Sequence, residues 1–485
     1  MDFSKMSALD FAGKRVTVLG LGIEGIDAAR YLVRQRAIVT IADAKREEQL
    51  RDRIVEGLPV NLSLGEAHAN DIGEAEALFV SQGVPLELPA VQKAQMRGIP
   101  LISMMGLFLE VCPGPVVGIT GSSGKTTTTA LVGQMFEADE RPFFVGGNIG
   151  VGLLDHLSSI RSYTWSVLEV SHTQLQLAQH SPHVAAVLNI TPNHLDRFSW
   201  DDYRELKAKL LRFQTPEDIC VLGFDDPEAR ALGLHAASRV AWFTMGAQLE
   251  GDGVFLRDGW AVSRCRRFEA RLFPMASLRL QGAHNQANAL AAAATAWASG
   301  VSAEAISCAV ESFRGVPHRL ELVGEIGGAK YYNDSIATTP ERTLAGLRSF
   351  QQPIVLLLGG RDKQLPMDEL AREAAARCRA VFVFGESAGK LEAAMRPAAG
   401  QVQVRGFETL EEAFSAASET ARSGDVVLLS PACTSYDAYE NFEQRGNHFR
   451  SLVLNLAQAA GLPAPEAIAA GSGHARSSRK PGAQR

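Results

Sequence analysis

The sequence predicts an α/β protein of about three domains, each built on parallel strand and helix units. Three observations predict it. The chain has 485 residues, where a single hydrophobic core organises roughly 150. Short apolar runs alternate with alanine-rich, helix-compatible stretches, the pattern of parallel strands joined by crossover helices. Two of the strand-to-helix turns are rich in glycine.

Taken in order, the first segment opens with an apolar run at 15–20 and the turn GLGIEG. A helical pattern follows through Ala28, Ala29, Tyr31, Leu32 and Val33, and then a second strand at 38–42. Gly114 and Pro115 supply linker punctuation. A new strand, PVVGIT at 115–120, then runs into GSSGKTTTT and a helix reaching Phe136, with a further strand at 184–190. After GVPHR come buried-strand candidates at 354–358, 381–384 and 426–429, separated by helical stretches at 367–377 and 410–422. All three segments read as parallel α/β units. They place domains at 1–113, 114–316 and 317–462. The tail at 463–485, basic and rich in Gly, Ser, Pro and Ala, has too few apolar residues to repay ordering and reads as disordered.

A hydrophobic content of 46% with 21% charged residues is ordinary globular composition. The longest apolar runs fall far short of the roughly 18 residues of a membrane span, and the N-terminus lacks an apolar segment with a cleavage site. A cytoplasmic, monomeric protein with no membrane partner is the expectation. Six cysteines without a CxxC pair suit reduced thiols. A net charge of −6 gives no electrostatic reason to expect nucleic acid.

In GLGIEG, Gly20, Gly22 and Gly25 match G-x-G-x-x-G after a strand, and Asp43 closes the next strand where a ribose-binding acid would lie. The motif alone does not separate NAD from another nucleoside diphosphate, nor either from a plain tight turn. The second turn is more specific. Gly121, Ser122, Ser123, Gly124, Lys125, Thr126 and Thr127 lie between a buried strand and a helix, where backbone amides cradle phosphates. Lys125 would neutralise the β/γ oxygens and Thr126 would offer a hydroxyl to Mg²⁺. Gly118 lies one position too far upstream for the usual G-x-x-x-x-G-K-[ST], so this is a variant phosphate loop.

With those turns stand further motifs in order: GGNIG at 146–150, LEVSHTQL at 168–175, NITPNHLDR at 189–197 and GAHNQAN at 282–288. PHRLE at 317–321, NDSIATTP at 333–340, GGRDK at 359–363 and SPACTSYDAYENFEQRG at 430–446 complete the series. The series resembles the Mur ligases over nearly the whole chain, and their glutamate-adding members in particular. The resemblance implies a Rossmann-like N-terminal domain holding a UDP-sugar, a central P-loop-type ATPase domain and a Rossmann-like C-terminal domain that brings the amino acid. The implied reaction joins D-glutamate to UDP-N-acetylmuramoyl-L-alanine. ATP converts the alanyl carboxylate, a poor electrophile, into an acyl phosphate that the glutamate amine attacks.

By motif position, Lys125, Glu169, His194 and Lys207 are the implied catalytic set. Thr126, Glu169 and His194 would bind Mg²⁺, with Mn²⁺ a plausible substitute because nitrogen is an unusual ligand for so hard a cation. Lys207 would join them as a carbamate, with Lys209 the neighbouring candidate. His284, Asn285 and Asn288 resemble ATP contacts, and Arg319 with Asp334 the interdomain ATP clamp. Gly22, Ile23, Glu24, Asp43, Gly83, Asn148, Ser171 and Gln174 would face the UDP-substrate. Thr338, Lys363, Ser435 and Phe442 match glutamate positions. Three residues depart from the family pattern: Ser123 for Asn, Thr173 for Phe, and Ile336 for the Lys of NDSKAT. The last removes a cation and leaves Lys363 as the main one expected at the glutamate site. Rival readings are L-glutamate as substrate, another amino-acid or folate-extending ligase of the superfamily, an NAD-dependent oxidoreductase, and a regulatory NTPase.

Overall fold

The structure, a computed structural model, describes residues 10–50, 57–65, 72–148, 152–193, 195, 197–249, 251–280, 282–363, 365–400 and 402–462. The expected disordered tail at 463–485 and the predicted metal ligand His194 lie outside the described residues. The described chain forms two compact units, one running to Phe313 and the other starting at Arg314.

The first unit contains two sheets. Strands β1 (Arg15–Leu19), β2 (Ile38–Asp43), β3 (Asn61–Leu64), β4 (Ala77–Val80) and β5 (Leu101–Ile102) form an all-parallel sheet in the order β3-β2-β1-β4-β5. The order reverses beside β1, which puts GLGIEG at the switch point where open α/β sheets bind ligands. The helix Ile23–Arg34 follows this turn and buries Ala28, Ala29 and Leu32, spaced for one helical face.

The second sheet has nine strands: β6 (Val116–Thr120), β7 (Phe143–Gly147), β8 (Trp165–Glu169), β9 (Val184–Val187), β10 (Ile219–Gly223), β11 (Arg239–Thr244), β12 (Gly253–Arg257), β13 (Trp260–Cys265) and β14 (Phe268–Pro274). β6 lies between β8 and β9, parallel to both. Helices Lys125–Ala138 and Ala283–Ala298 pack together. Six consecutive residues of the second, Ala289 to Ala294, are buried, and five of them are alanines small enough to let the backbones approach.

The purely parallel reading missed one piece of this sheet. β13 runs antiparallel to both β12 and β14. Asp258 (φ 49°) and Gly259 (φ 74°) form the connection between β12 and β13, the two-residue Asp-Gly turn whose left-handed backbone matches strand twist. The strand expected to reach Ile190 ends at Val187, because Asn189 leaves the sheet to bind the phosphate loop.

The second unit holds β15 (Glu321–Ile326), β16 (Ala329–Asn333), β17 (Ile354–Gly359), β18 (Cys378–Phe384), β19 (Gln403–Phe407) and β20 (Val426–Ala432), in the order β15-β16-β20-β17-β18-β19. All pairs are parallel except β15 with β16, whose turn is Gly327 and Gly328, both at positive φ. Along β17, Ile354, Leu356 and Leu358 enter one core cluster and Val355 and Leu357 the other. Both faces of this central strand are therefore covered, which is why it reads as an unbroken apolar run. Each such side chain contributes about 1.5–3 kcal/mol through burial.

Candidate active site

The phosphate-loop residues connect β6 to the helix Lys125–Ala138, and Gly124 caps that helix at φ 82°. A Cβ at Gly124 would lie 2.2 Å from Asn288 Oδ1, so the glycine is required both by its left-handed backbone and by close approach. Gly118 has a different task. It lies within β6, where a Cβ would come 2.4 Å from Pro182 Cγ, so it is a packing glycine and not the start of the loop. The segment after β9 holds the loop from the side. Ser122 N donates to Asn189 O (3.0 Å), Ser123 N donates to Asn189 Oδ1 (2.9 Å), and Thr191 N donates to Ser122 Oγ (2.9 Å). Ser123, the departure from Asn, keeps this staple because its backbone makes the bond. Lys125 Nζ donates to the loop carbonyls of Gly121 (2.8 Å) and Ser122 (3.2 Å).

Beneath the loop lies Lys207, on the helix Trp200–Ala208 and only 1% exposed. Its Nζ donates to Thr120 Oγ1 (2.9 Å) and Gly121 O (3.1 Å), and Thr120 Oγ1 donates in turn to Val170 O (2.7 Å). Burial holds the Lys207 ammonium well below the usual lysine range, Lys125 lowers it further, and Glu169 opposes both. Lys209 points elsewhere: its Nζ bonds the Gln176 carbonyl. The two lysine candidates are thus separated by position, and Lys207 is the one under the loop.

Glu169 ends β8, 3% exposed. Its Oε1 accepts from Asn148 Nδ2 (3.0 Å), while Oε2 is buried without a hydrogen-bond partner. A buried carboxylate oxygen left unpaired is costly. The helix behind the loop carries two more buried unpaired atoms, Thr128 Oγ1 and Thr129 Oγ1. Among the described residues no three His, Cys, Asp or Glu side chains form a metal cluster.

At the first glycine turn, Gly25 would clash at 2.0 Å with Gly20 O if it bore a Cβ, whereas Gly22 faces open space beside the 60%-exposed Ile23. Asp43 accepts from Leu21 N (2.8 Å) and Lys45 N (2.9 Å), so its carboxylate braces the turn. Gly83, at φ 98°, also has nothing within 4 Å of its Cβ position. Glu24 accepts from Gln82 N (2.6 Å) and Gln174 Nε2 (3.2 Å), and burial raises its carboxyl above the usual range. Ser171 and Gln174 form a capping box at the start of the helix His172–Leu175. Gln82 Nε2 reaches Thr173 Oγ1 (2.8 Å), Ser171 Oγ (3.1 Å) and Asn148 Oδ1 (3.3 Å). The hydroxyl of Thr173, where the family has Phe, is thus used. His284 is exposed at the start of the helix Ala283–Ala298, and Asn288 Nδ2 donates to Asn285 Oδ1 (3.5 Å).

In the second unit, Asp334 accepts from Ser430 Oγ (2.7 Å) and Leu320 N (3.2 Å). Burial pushes its carboxyl up to about 7, against those bonds and the charges of Arg319 and Arg342. The segments that carry the predicted glutamate residues are tied together by a side chain that sequence reading passed over. Arg445, fully buried, donates to Ser335 Oγ (3.1 Å), Ser335 O (3.0 Å), Gly359 O (3.1 Å) and Cys433 O (3.2 Å). Ser335 Oγ donates onward to Phe442 O (2.8 Å). One guanidinium therefore fixes the loops bearing Thr338, Lys363, Ser435 and Phe442. Ser435 itself is 2% exposed, and its carbonyl accepts from Tyr439 N (2.9 Å).

Three family models match in succession: the Mur ligase MurD-like N-terminal domain over 14–103, the Mur ligase middle domain over 119–296 and the Mur ligase glutamate ligase domain over 318–433. The UDP-N-acetylmuramoylalanine–D-glutamate ligase of Symbiobacterium thermophilum is 41% identical over 447 residues, covering 91% of this chain and 98% of that protein. The chain belongs to the Mur ligase family. The enzyme of the same name from Koribacter versatilis is 38% identical, covering 93% and 99%. Among solved structures, the UDP-N-acetylmuramate-alanine ligase MurC of Thermotoga maritima superposes with a TM-score of 0.52 at 18% identity, covering 91% of this chain and 99% of its own. That likeness concerns the Mur ligase fold alone. The residues that sequence reading missed are Thr120, Asn189, Gln82 and Arg445. Thr120 closes the strand PVVGIT, and Asn189 and Arg445 lie in motifs, whereas Gln82 lies in none; nothing in a motif announces that an arginine bonds carbonyls rather than a ligand. Among the described residues no helix of this Mur ligase is long and apolar enough to cross a membrane, and all six cysteines are free.

Proposed function

We propose that this Mur ligase joins glutamate, as the D isomer, to UDP-N-acetylmuramoyl-L-alanine in the cytoplasmic synthesis of the peptidoglycan precursor, cleaving ATP to ADP and phosphate. The observation that carries the reading is that Lys125 and Lys207 both bond the Gly121 carbonyl of the phosphate loop, with Glu169 within electrostatic reach of Lys207, in a chain whose near-full-length relatives are named for D-glutamate ligation.

Lys125 exchanges its loop carbonyls for phosphate oxygens, and the backbone N–H groups at the helix start orient the γ-phosphoryl group towards the alanyl carboxylate. The acyl phosphate so formed is attacked by the glutamate amine, and phosphate leaves. His284, Asn285 and Asn288 are the nucleotide contacts of this reading, and Arg319 and Asp334 keep the ATP role that the resemblance implies. Gly22, Ile23, Glu24, Asp43, Gly83, Asn148, Ser171 and Gln174 hold the UDP-substrate.

The orphaned Glu169 Oε2 fits a divalent cation, which Thr126, His194 and the modified Lys207 would help to hold. Magnesium, or manganese in its place, supplies positive charge to phosphate oxygens when bound. Burial favours the neutral form of Lys207, and a neutral amine is the form that adds to CO₂, releasing a proton and leaving an anionic carbamate. The division at 1–113, 114–316 and 317–462 is part of this reading, with one sheet in each.

Thr338, Lys363, Ser435 and the backbone at Phe442 are the glutamate contacts. The Ile336 side chain cannot donate a bond, so more of the load falls on Lys363; L-glutamate is the second reading. Product formation with D-Glu, L-Glu, D-Asp and L-Lys tests the assignment. Turnover with D-Glu well above the other three is expected. Equal or better turnover with L-Glu overturns the stereochemistry, and preference for lysine overturns the glutamate reading.

A further inference from the structure

Arg342 and Lys363 stand near one another in the second unit, and the acid that feels the Arg342 charge is the buried Asp334, which is already bonded to Ser430 and Leu320. Arg342 lies in the first turn of the helix Pro340–Arg348, and its Nη1 donates to Ile336 O at 3.2 Å. Lys363 is close enough that the Arg342 charge helps, after burial, to lower its ammonium below the usual lysine range. Among the described residues neither side chain forms an ion pair with a carboxylate. Like charges brought together repel, and the first turn of a helix disfavours a cation in addition. Such an arrangement is stabilised when an anion arrives.

The position of Arg342 is set by the fold. Its neighbour Thr343 is fully buried and donates through Oγ1 to Ser430 O at 3.0 Å, which locks the helix against β20. From there the guanidinium reaches back over residue 336, whose carbonyl also accepts from Thr338 N at 2.9 Å. Residue 336 is where the family pattern carries a lysine and this chain carries isoleucine.

We propose that Arg342 supplies from the neighbouring helix the positive charge that Ile336 lacks, and that with Lys363 it holds the side-chain carboxylate of the incoming amino acid. The assignment rests on the glutamate reading above. An arginine there differs from a lysine in kind as well as in origin. Its planar fork can take both oxygens of one carboxylate, whereas an ammonium acts as a point charge. Arg342 therefore sets the choice of an acidic side chain over its neutral amide.

The test is steady-state kinetics of the full-length enzyme with glutamate and with glutamine of the same hand, in wild type, Arg342→Gln, Arg342→Lys and the pair Ile336→Lys with Arg342→Gln. Arg342→Gln should raise the glutamate KM by roughly tenfold or more, as expected for a lost charged hydrogen bond. It should leave the ATP KM within about twofold and lower the preference for glutamate over glutamine by the same factor as the KM rises. Adding Ile336→Lys should recover most of the loss, and Arg342→Lys should recover part. A wild-type glutamate KM in Arg342→Gln overturns the proposal, as does a parallel rise in both KM values or failure of Ile336→Lys to restore preference. Wild-type enzyme without glutamate-dependent turnover is a different result. It overturns the glutamate reading itself and takes this assignment with it.

Discussion

Lys207 shows how one side chain can be prepared by its surroundings. An ordinary helix lysine is solvated and protonated, but this one is buried against Thr120 and Gly121 with Lys125 nearby. Its folded-state value is depressed. Between that value and the ordinary lysine range, the unfolded chain binds a proton that the folded chain does not, so Lys207 makes stability rise with pH across that window. Lys207→Met should flatten this rise in pH-dependent denaturant unfolding. The same substitution should abolish turnover, whereas Lys209→Ala, which loses a bond to the half-buried Gln176 carbonyl, should retain most of it. Activity that falls when CO₂ is rigorously removed would mark the carbamate. Lys125→Ala tests the loop separately: kcat should drop by at least about 10²–10³, with UDP-substrate affinity in calorimetric titration nearly unchanged. The residue types and spacing of this cluster were legible in the sequence. Resemblance alone put Lys207 ahead of Lys209; that Lys207 lies under the loop depends on how the helix Trp200–Ala208 is rotated against β6.

At the level of elements, the chain spends its special residues where loops must hold shape. Gly124→Ala forces a left-handed backbone on an L residue at about 1–2 kcal/mol and displaces Asn288, so ATP affinity should fall further than the melting temperature. Arg445 performs the same service for the second unit with a charge. Arg445→Ala strands the carbonyls of Ser335, Gly359 and Cys433 in the interior, and about 3–5 kcal/mol of stability should disappear in chemical denaturation. Asp334 adds a pH signature to this unit. Its carboxyl is raised from 3.8 to about 7, so the folded chain holds a proton that the unfolded chain gives up. The stability it contributes is fully present below the ordinary aspartate value and is lost as pH rises through about 7. Asp334→Asn should remove that slope, which amounts to about 4 kcal/mol at most. None of this was visible in SPACTSYD or NDSIATTP as strings. A motif names residues that recur together, whereas Arg445 works through carbonyls that belong to any residue.

Across the whole molecule, alternation of apolar strands with alanine-rich helices was enough to predict three α/β sheets, and the strands at 15–20, 38–42, 354–358 and 426–429 formed close to where periodicity put them. The antiparallel β12 to β14 were missed because their Asp-Gly turn lies in a polar, arginine-rich stretch that lacks the long apolar runs of the central strands. Residues 314–462 contain a sheet with both faces covered by their own core clusters, so this piece expressed alone should unfold cooperatively. In this enzyme the phosphate loop, Glu169 and Lys207 are proposed to serve a ligation rather than a free-standing hydrolysis. The most direct measurement is phosphate release by the full-length enzyme with ATP, UDP-N-acetylmuramoyl-L-alanine and D-glutamate, omitting each in turn. Stoichiometric release of ADP, phosphate and ligated product is expected only when all three are present; sustained phosphate release without the acceptor or without the amino acid would overturn the assignment to ligation.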